Sequence, residues 1–289
     1  MKAAAFAYVK PSSLAEVFGL LGQYGSDARI LAGGQSLVAA LNMRLAVPAV
    51  LIDINGLSDL AGITLRHDML RIGALTRHRD LERSADIERH APLIARAMPH
   101  VAHPAIRTRG TFGGSIAYAD PAAELPACSV AMNAQFVLAS RAGERRVAAR
   151  QFFKSLYETA LEAGEIVVAG EFPAQPAHHR SVFLELAHRR GDYAIVGLAA
   201  RCAYDGGRFS DVAMVFFGVG ATPVVAQNVA SALEGRRYSP EVVRAAQAAV
   251  GADISPDNDL YQSAPTKLHL ARVLAGRAIS KLHGEAESA

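Results

Sequence analysis

The sequence predicts an α+β protein in two parts. A two-subdomain domain over residues 1–175 combines a small α/β unit, about 1–57, with a sheet-rich subdomain, 58–175. A C-terminal domain over 176–289 carries an antiparallel three-stranded sheet and a helical bundle. Three observations predict this: helix and strand patterns alternate at the start, short alternating apolar pieces follow, and three strands then precede three helices beyond a proline-rich break.

The first helix is predicted over 12–24, because Leu14, Val17, Phe18 and Leu21 recur at helical spacing behind a serine able to cap it. A strand over 28–32 follows. After Gly33 and Gly34 a helix-like run covers 36–45, and the apolar stretch 49–54 beyond Pro48 suits a buried strand. In 62–74 the alternation of Ile63, Leu65, Leu70 and Ile72 predicts a hairpin that turns at His67 and Asp68. Helices over 79–84 and 92–97 precede a glycine-rich loop at 109–115, a helix over 121–132, and strands over 134–139 and 165–172. The run 173–177 holds two prolines, which fit neither helix nor central strand, and marks the domain boundary. Strands are predicted over 181–186, 194–204 and 211–219, then helices over 226–233, 240–250 and 265–282. No internal repeat or low-complexity segment interrupts this order.

Composition narrows the function classes. The 289 residues are 51% hydrophobic, enough for a sizeable core and about two domains. The net charge of +3, from 30 basic and 27 acidic side chains, is scattered along the chain, which argues against nucleic acid as a partner. Only Cys128 and Cys202 are present, so neither a disulfide framework nor a metal-ligand spacing exists. The first ten residues lack a signal-peptide pattern, and no run approaches the ~18 apolar residues of a membrane span, so the expected location is cytoplasmic.

Two glycine loops carry the candidate chemistry. Ala32, Gly33, Gly34, Gln35 and Ser36 lie at a strand-to-helix junction, where unpaired N–H groups and the positive end of a helix favour an anion. Glycine lets oxygen atoms approach the backbone there and permits positive φ. Thr111, Phe112, Gly113, Gly114 and Ser115 repeat the pattern, and two separated cradles suit a diphosphate held between two subdomains. Neither loop is G-x-G-x-x-G, and no G-x-x-x-x-G-K-[ST] or G-x-S-x-G occurs. The ten histidines show no paired metal spacing. No acid/base constellation is visible, so no catalytic side chain and no metal site is assigned.

With these loops in view, the chain resembles the flavoprotein subunits of the xanthine and carbon monoxide dehydrogenase group along essentially its whole length. Four ordered motifs carry the resemblance: A-G-G-Q-S with L-N-M-R-L-A-V-P-A-V-L-I-D-I (32–54), I-R-T-R-G-T-F-G-G-S with D-P-A-A-E-L-P (106–126), E-I-V-V-A-G-E-F-P (165–173) and H-R-R-G-D-Y-A-I-V (188–196). The resemblance implies a PCMH-type, vanillyl-alcohol-oxidase-like FAD domain, with the diphosphate on both glycine loops. It further implies that Glu124, usually an aspartate, meets the cofactor's polar chain, and that Val167 lines the flavin or adenine pocket. Asp192 and Tyr193 would approach the isoalloxazine ring, with Tyr193 either stacking there or packing beneath a sheet. Tyr118 stands where the family commonly has asparagine, and Ala39 where it often has proline.

The same resemblance implies partners: a large subunit with a molybdenum pterin cofactor and a small subunit with 2Fe-2S iron–sulfur clusters, arranged as a dimer of heterotrimers. Electrons would pass from the clusters to FAD on this chain and on to an external acceptor such as a quinone, oxygen or NAD. Two alternatives are an assembly module with a structural or vestigial flavin, and a self-sufficient flavin oxidase; the second requires a larger substrate domain than this chain offers.

Overall fold

The computed structural model describes residues 2–284; Met1 and residues 285–289, the tail of the expected C-terminal domain, lie outside the described residues. The first unit is organised by a helix cap and a buried central strand. Ser13 accepts from the Glu16 amide at the start of α1 (Leu14–Tyr24), and the Glu16 carboxylate takes the Ser12 N–H at 2.6 Å. This reciprocal pairing fixes where the helix begins. Strands β1 (Ala7–Val9), β2 (Ala28–Leu31) and β3 (Val50–Asp53) form a parallel sheet in the order β1-β3-β2. All four β3 residues are buried, as a parallel strand covered on both sides requires. Strand β1 adds to the two strands read from the sequence; three residues, two of them exposed, are too few to show a period. Helix α2 (Leu37–Asn42) joins β2 to β3.

The second unit is a five-stranded antiparallel sheet. Its strands are β4 (Ile63–Arg66), β5 (Met69–Gly73), β6 (Gln135–Ser140), β7 (Gly143–Ala148) and, after the small hairpin β8 (Phe153–Ser155) and β9 (Glu158–Thr159), the central β10 (Ile166–Pro173). The β4–β5 turn falls at His67, with φ at +53°, where the sequence places it. Strand β7 escapes the periodicity because it is an edge carrying Glu144, Arg145 and Arg146. Between β5 and β6 come α3 (His78–Arg83), α4 (Ala85–His90), α5 (Pro92–Ala97), α6 (Pro104–Arg107), α7 (Phe112–Tyr118) and α8 (Glu124–Ala131); α9 (Ala149–Phe152) follows β7.

The last unit holds β11 (His179–Leu186), β12 (Val196–Asp205) and β13 (Arg208–Phe217), the three expected strands, with the two-residue edge strand β14 (Val224–Val225) added. Helices α10 (Gln227–Leu233), α11 (Pro240–Asp253) and α12 (Ala264–Gly284) cover one face. The other face enters the core of the second unit: Phe183, Ala199, Val215 and Phe217 pack in one cluster with Phe112, Leu125, Val130 and Phe136. Each such aromatic contributes about 1.5–3 kcal/mol by leaving water.

Helix α8 lies in that seam, and every one of its residues is buried. The buried Arg201 of β12 donates to the Ala131 carbonyl at 2.6 Å and to Asp211 at 2.6 Å, tying the end of α8 to the C-terminal sheet. The proline-rich run at 173–177 is held on both sides: Ala174 N–H donates to Asp68 O, Gln175 N–H to His90 O, and Ser181 Oγ to Gln175 Oε1. The core therefore passes continuously beside this segment.

Candidate functional site

A cleft of about 940 Å³ opens between the first two units and the C-terminal sheet. Its walls include Ala32, Gly33, Gly34, Gln35, Ser36, Thr111, Gly113, Gly114, Ser115, Glu124, Val167, Asp192 and Tyr193. The fold thus gathers every residue assigned to the cofactor from the sequence except Phe112. That side chain is fully buried, with its ring 5.8 Å from Phe172 and 6.5 Å from Phe136, and its amide donates to Thr76 O. Phe112 is a core residue that anchors α7, which corrects its expected place on the cofactor.

The first loop is held by its carbonyls. Asn55 Nδ2 donates to Ala32 O at 2.8 Å, Gln35 Nε2 donates to Gly33 O at 2.9 Å, and Arg77 Nη2 fixes Asn55 through Oδ1 at 2.7 Å. The Asp53 carboxylate takes the Asn55 N–H at 2.9 Å and the Tyr8 hydroxyl. With the carbonyls engaged, the N–H groups of Gly33, Gly34, Gln35 and Ser36 have no acceptor among the described residues. Unpaired donors of this kind favour a ligand rich in acceptors. The loop also separates the cleft from a smaller cavity of about 500 Å³ lined by Ala39, Asn42 and Arg109, so Ala39 stands on the far side of the loop.

The second loop works differently. Phe112 and Gly113 donate to Thr76 O and Ala74 O, Gly114 to Thr111 Oγ1 at 3.1 Å, and Ser115 to Thr111 O. These four amides are committed to the start of α7, so of the expected second cradle of backbone N–H groups only the Thr111 amide is left without an acceptor among the described residues, beside the hydroxyls of Thr111 and Ser115. His78 organises them: Nε2 lies 3.0 Å from Thr111 O and 3.1 Å from Ser115 Oγ. A carbonyl only accepts, so Nε2 carries the proton, and Ser115 keeps its own hydrogen for a ligand. Burial holds the imidazole down to about 4, so it is neutral at pH 7. Sequence reading set His78 aside with the other histidines; its one signal was its nearness to the turn that meets the second loop.

The glycines also have a different reason from the one expected. A Cβ on Gly33 would sit 2.3 Å from Arg109 O, one on Gly113 2.5 Å from Ala74 Cβ, and one on Gly110 2.7 Å from His78 Nδ1. These positions are small because protein packs against protein. Among the glycines of the first loop, only Gly34, at φ +74°, is required by its backbone conformation.

Elsewhere the walls are acidic and aromatic. Tyr193 is 70% exposed at the cleft, which removes the alternative that it packs beneath a sheet. Tyr118 and Tyr157 lie with ring centroids 5.1 Å apart, and Tyr157 OH donates to Asp120. Burial, with the Asp120 charge, pushes the Tyr157 hydroxyl up to about 12. Burial also raises the Asp120 carboxyl and pushes Glu124 up to about 7, with the Asp120 charge adding to the latter. Arg29 is the one arginine or lysine on the described walls. Neutralisation of a bound anion therefore falls mainly to backbone amides and hydroxyls.

Comparison with known proteins decides what this cleft belongs to. Residues 4–175 match the FAD binding domain in molybdopterin dehydrogenase, and residues 181–282 match the CO dehydrogenase flavoprotein C-terminal domain. The chain belongs to the FAD-binding medium subunits of molybdenum hydroxylases. It is 37% identical to the carbon monoxide dehydrogenase medium chain of Hydrogenophaga pseudoflava, over 95% of this chain and 96% of that one. It is 36% identical to the 6-hydroxypseudooxynicotine dehydrogenase complex subunit alpha of Paenarthrobacter nicotinovorans, over 97% and 95%. The crystal structure of quinoline 2-oxidoreductase from Pseudomonas putida 86 superposes with a TM-score of 0.94 at 36% identity, covering 99% of each chain.

As a medium subunit, the chain is the FAD-binding, electron-transferring component of an oxidoreductase. The molybdenum pterin and iron–sulfur cofactors belong to its partner subunits. The residues present fit FAD. The unpaired amides at 33–36 suit a diphosphate, the volume of about 940 Å³ suits a dinucleotide, and apolar positions such as Val167 suit its ring systems.

Proposed function

We propose that FAD lies extended through this cleft, with its diphosphate on the amides of Gly33, Gly34, Gln35 and Ser36 and on the hydroxyls of Thr111 and Ser115. Ala32 and Gly114 shape the passage between the loops, Gly113 lets α7 approach, and Phe112 anchors that helix from the core. Val167 flanks a ring system, Asp192 and Tyr193 stand at the flavin end, and Glu124 meets the polar chain as a neutral acid. The unpaired amides of the first loop carry the reading, because four consecutive N–H groups on the cleft wall have no acceptor among the described residues.

FAD, once bound, accepts electrons singly and releases them in pairs, which suits a station between iron–sulfur clusters and a two-electron acceptor. The chain's own residues bind it, orient it and keep water from its edges. A dimer of heterotrimers, an external acceptor such as a quinone, oxygen or NAD, a cytoplasmic location and a division into domains 1–175 and 176–289 complete the proposal. No described helix is long and apolar enough to cross a membrane, in keeping with that location.

The test is to express the full chain, desalt it, record its visible spectrum and identify the chromophore released on denaturation. Flavin bands with FAD released are expected. A folded, colourless protein that fails to take up added FAD would remove the proposal. Flavin bleaching on addition of the oxidisable substrate to the assembled complex is the further expectation, and its absence with an intact molybdenum site would leave the flavin a structural role.

A further inference from the structure

Beyond the second glycine loop the wall of the cleft turns aromatic. Helix α7 brings Ser115 and Tyr118 to the cleft, three residues apart and therefore on one face of the helix. A ligand oxygen on the Ser115 hydroxyl would have Tyr118 about one turn further along. Tyr118 meets Tyr157, at the tip of the β8–β9 hairpin, with ring centroids 5.1 Å apart at 58°. The Tyr157 hydroxyl donates to Asp120 Oδ2 at 3.4 Å, while Asp120 Oδ1 takes the Ala122 N–H at 2.9 Å. A hydroxyl contact of that length is long, so the Tyr157 hydrogen is loosely held and open to a better acceptor.

Neither ring is packed away. Tyr118 and Tyr157 stay 37% and 51% exposed on the cleft wall. Tyr157 also holds a left-handed backbone, φ +57°, which is costly for a bulky side chain and persists only where the surroundings impose it. The base of its hairpin is firmly set: Ala160 N–H donates to Phe152 O at 2.7 Å, Arg145 Nη2 donates to Ala160 O at 2.7 Å, and Phe136, Phe152 and Phe153 pack edge to face. The same corner receives Tyr193. Pro121, next to Asp120, accepts the Gly218 N–H at 2.9 Å, and a Cβ on Gly218 would stand 3.0 Å from the carbonyl of Ala194, the residue after Tyr193. Tyr118, Tyr157 and Tyr193 thus come from three separate segments to one end of the cleft.

We propose that Tyr118 and Tyr157 are flavin-contacting residues, their paired rings forming the wall that holds the isoalloxazine ring beside Tyr193, with Asp120 keeping the Tyr157 ring turned to the cleft. The inference rests on the FAD-binding reading above. With Tyr193 at the flavin end, the ring that reaches this corner is the isoalloxazine and not the adenine. Its faces are apolar and its pyrimidine edge is rich in acceptors, and a tilted tyrosine pair supplies both an aromatic surface and hydroxyl donors.

The chain has no tryptophan, so tyrosine is the side chain able to quench a bound flavin strongly by ring contact. Phenylalanine keeps the packing and, being harder to oxidise, loses most of that quenching. The emission lifetime of FAD bound at saturation to the full chain therefore reads the contact. Tyr193→Phe is expected to leave the flavin largely quenched, and adding Tyr118→Phe and Tyr157→Phe to it is expected to lengthen the lifetime severalfold. Tyr157→Ala is expected to release FAD about tenfold faster on dilution, the worth of one aromatic contact, with Tyr157→Phe restoring most of the retention. An unchanged lifetime when the two phenylalanines are added to Tyr193→Phe, or release from Tyr157→Ala at the wild-type rate, overturns the contact and leaves the cofactor reading standing. No binding of FAD by the wild-type chain overturns both.

Discussion

The glycine loops at 32–36 and 110–115 are written in the same residue types, yet they offer a ligand different groups. In the first, Asn55 and Gln35 hold the carbonyls of Ala32 and Gly33, and the amides are left over. In the second, Thr111 caps α7 and the β5–α3 turn accepts from Phe112 and Gly113, so the hydroxyls and the single Thr111 amide remain. A glycine pair beside serine or threonine therefore marks tight packing at a helix start. Whether it marks an anion site depends on where the neighbouring amides find acceptors.

The largest expected effect comes from forcing the two loops apart. Gly33→Ala places a methyl 2.3 Å from the Arg109 carbonyl, so the loops must separate. Loss of bound FAD is expected, together with about 1–3 kcal/mol of stability, measured by denaturant unfolding and flavin content. Retention of full flavin content would show that the loops are not in contact in solution. Asn55→Ala tests the first loop alone by freeing the Ala32 carbonyl and the Arg77 guanidinium. About 1–3 kcal/mol of destabilisation and weaker FAD binding are expected, since a buried donor network loses its hub.

Acid distinguishes the second loop. His78 is held near pKa 4 in the fold against an ordinary 6.5, so the unfolded chain binds the extra proton between those values. Stability from this group is complete above about pH 6.5 and falls as pH drops toward 4, by at most about 1.4 kcal/mol per unit. His78→Gln should flatten that part of the pH profile; an unchanged profile would mean that His78 is solvated. The smallest effect belongs to Ser115→Ala, which removes one hydroxyl and no cap. A rise in the FAD dissociation constant of about tenfold with an unaltered melting temperature is expected. The cap variant Thr111→Val should lose about 1 kcal/mol of stability as well, a difference that thermal melts would resolve.

Much of this was legible in the chain. Helical spacing behind Ser13 gave α1, alternation across His67 gave the β4–β5 hairpin, and the two glycine loops named one part of the cleft wall. Short or polar elements were not legible, because β1, β7 and β14 lack the length or the apolar period that a pattern needs. The buried side chain of Glu185 on β11 could have been found, since a carboxylate on the Phe183 face of an apolar strand breaks the alternation.

By itself the sequence determined the order of the elements, the positions of the loops and the family, because these follow from local propensity, hydrophobic period and motif spacing. Tertiary structure alone decided which amides stay unpaired, that Phe112 faces the core, and that His100 meets Glu185. Hydrogen-bond satisfaction and charge burial are properties of what surrounds a group in space, and the residues that surround these groups are distant in the chain.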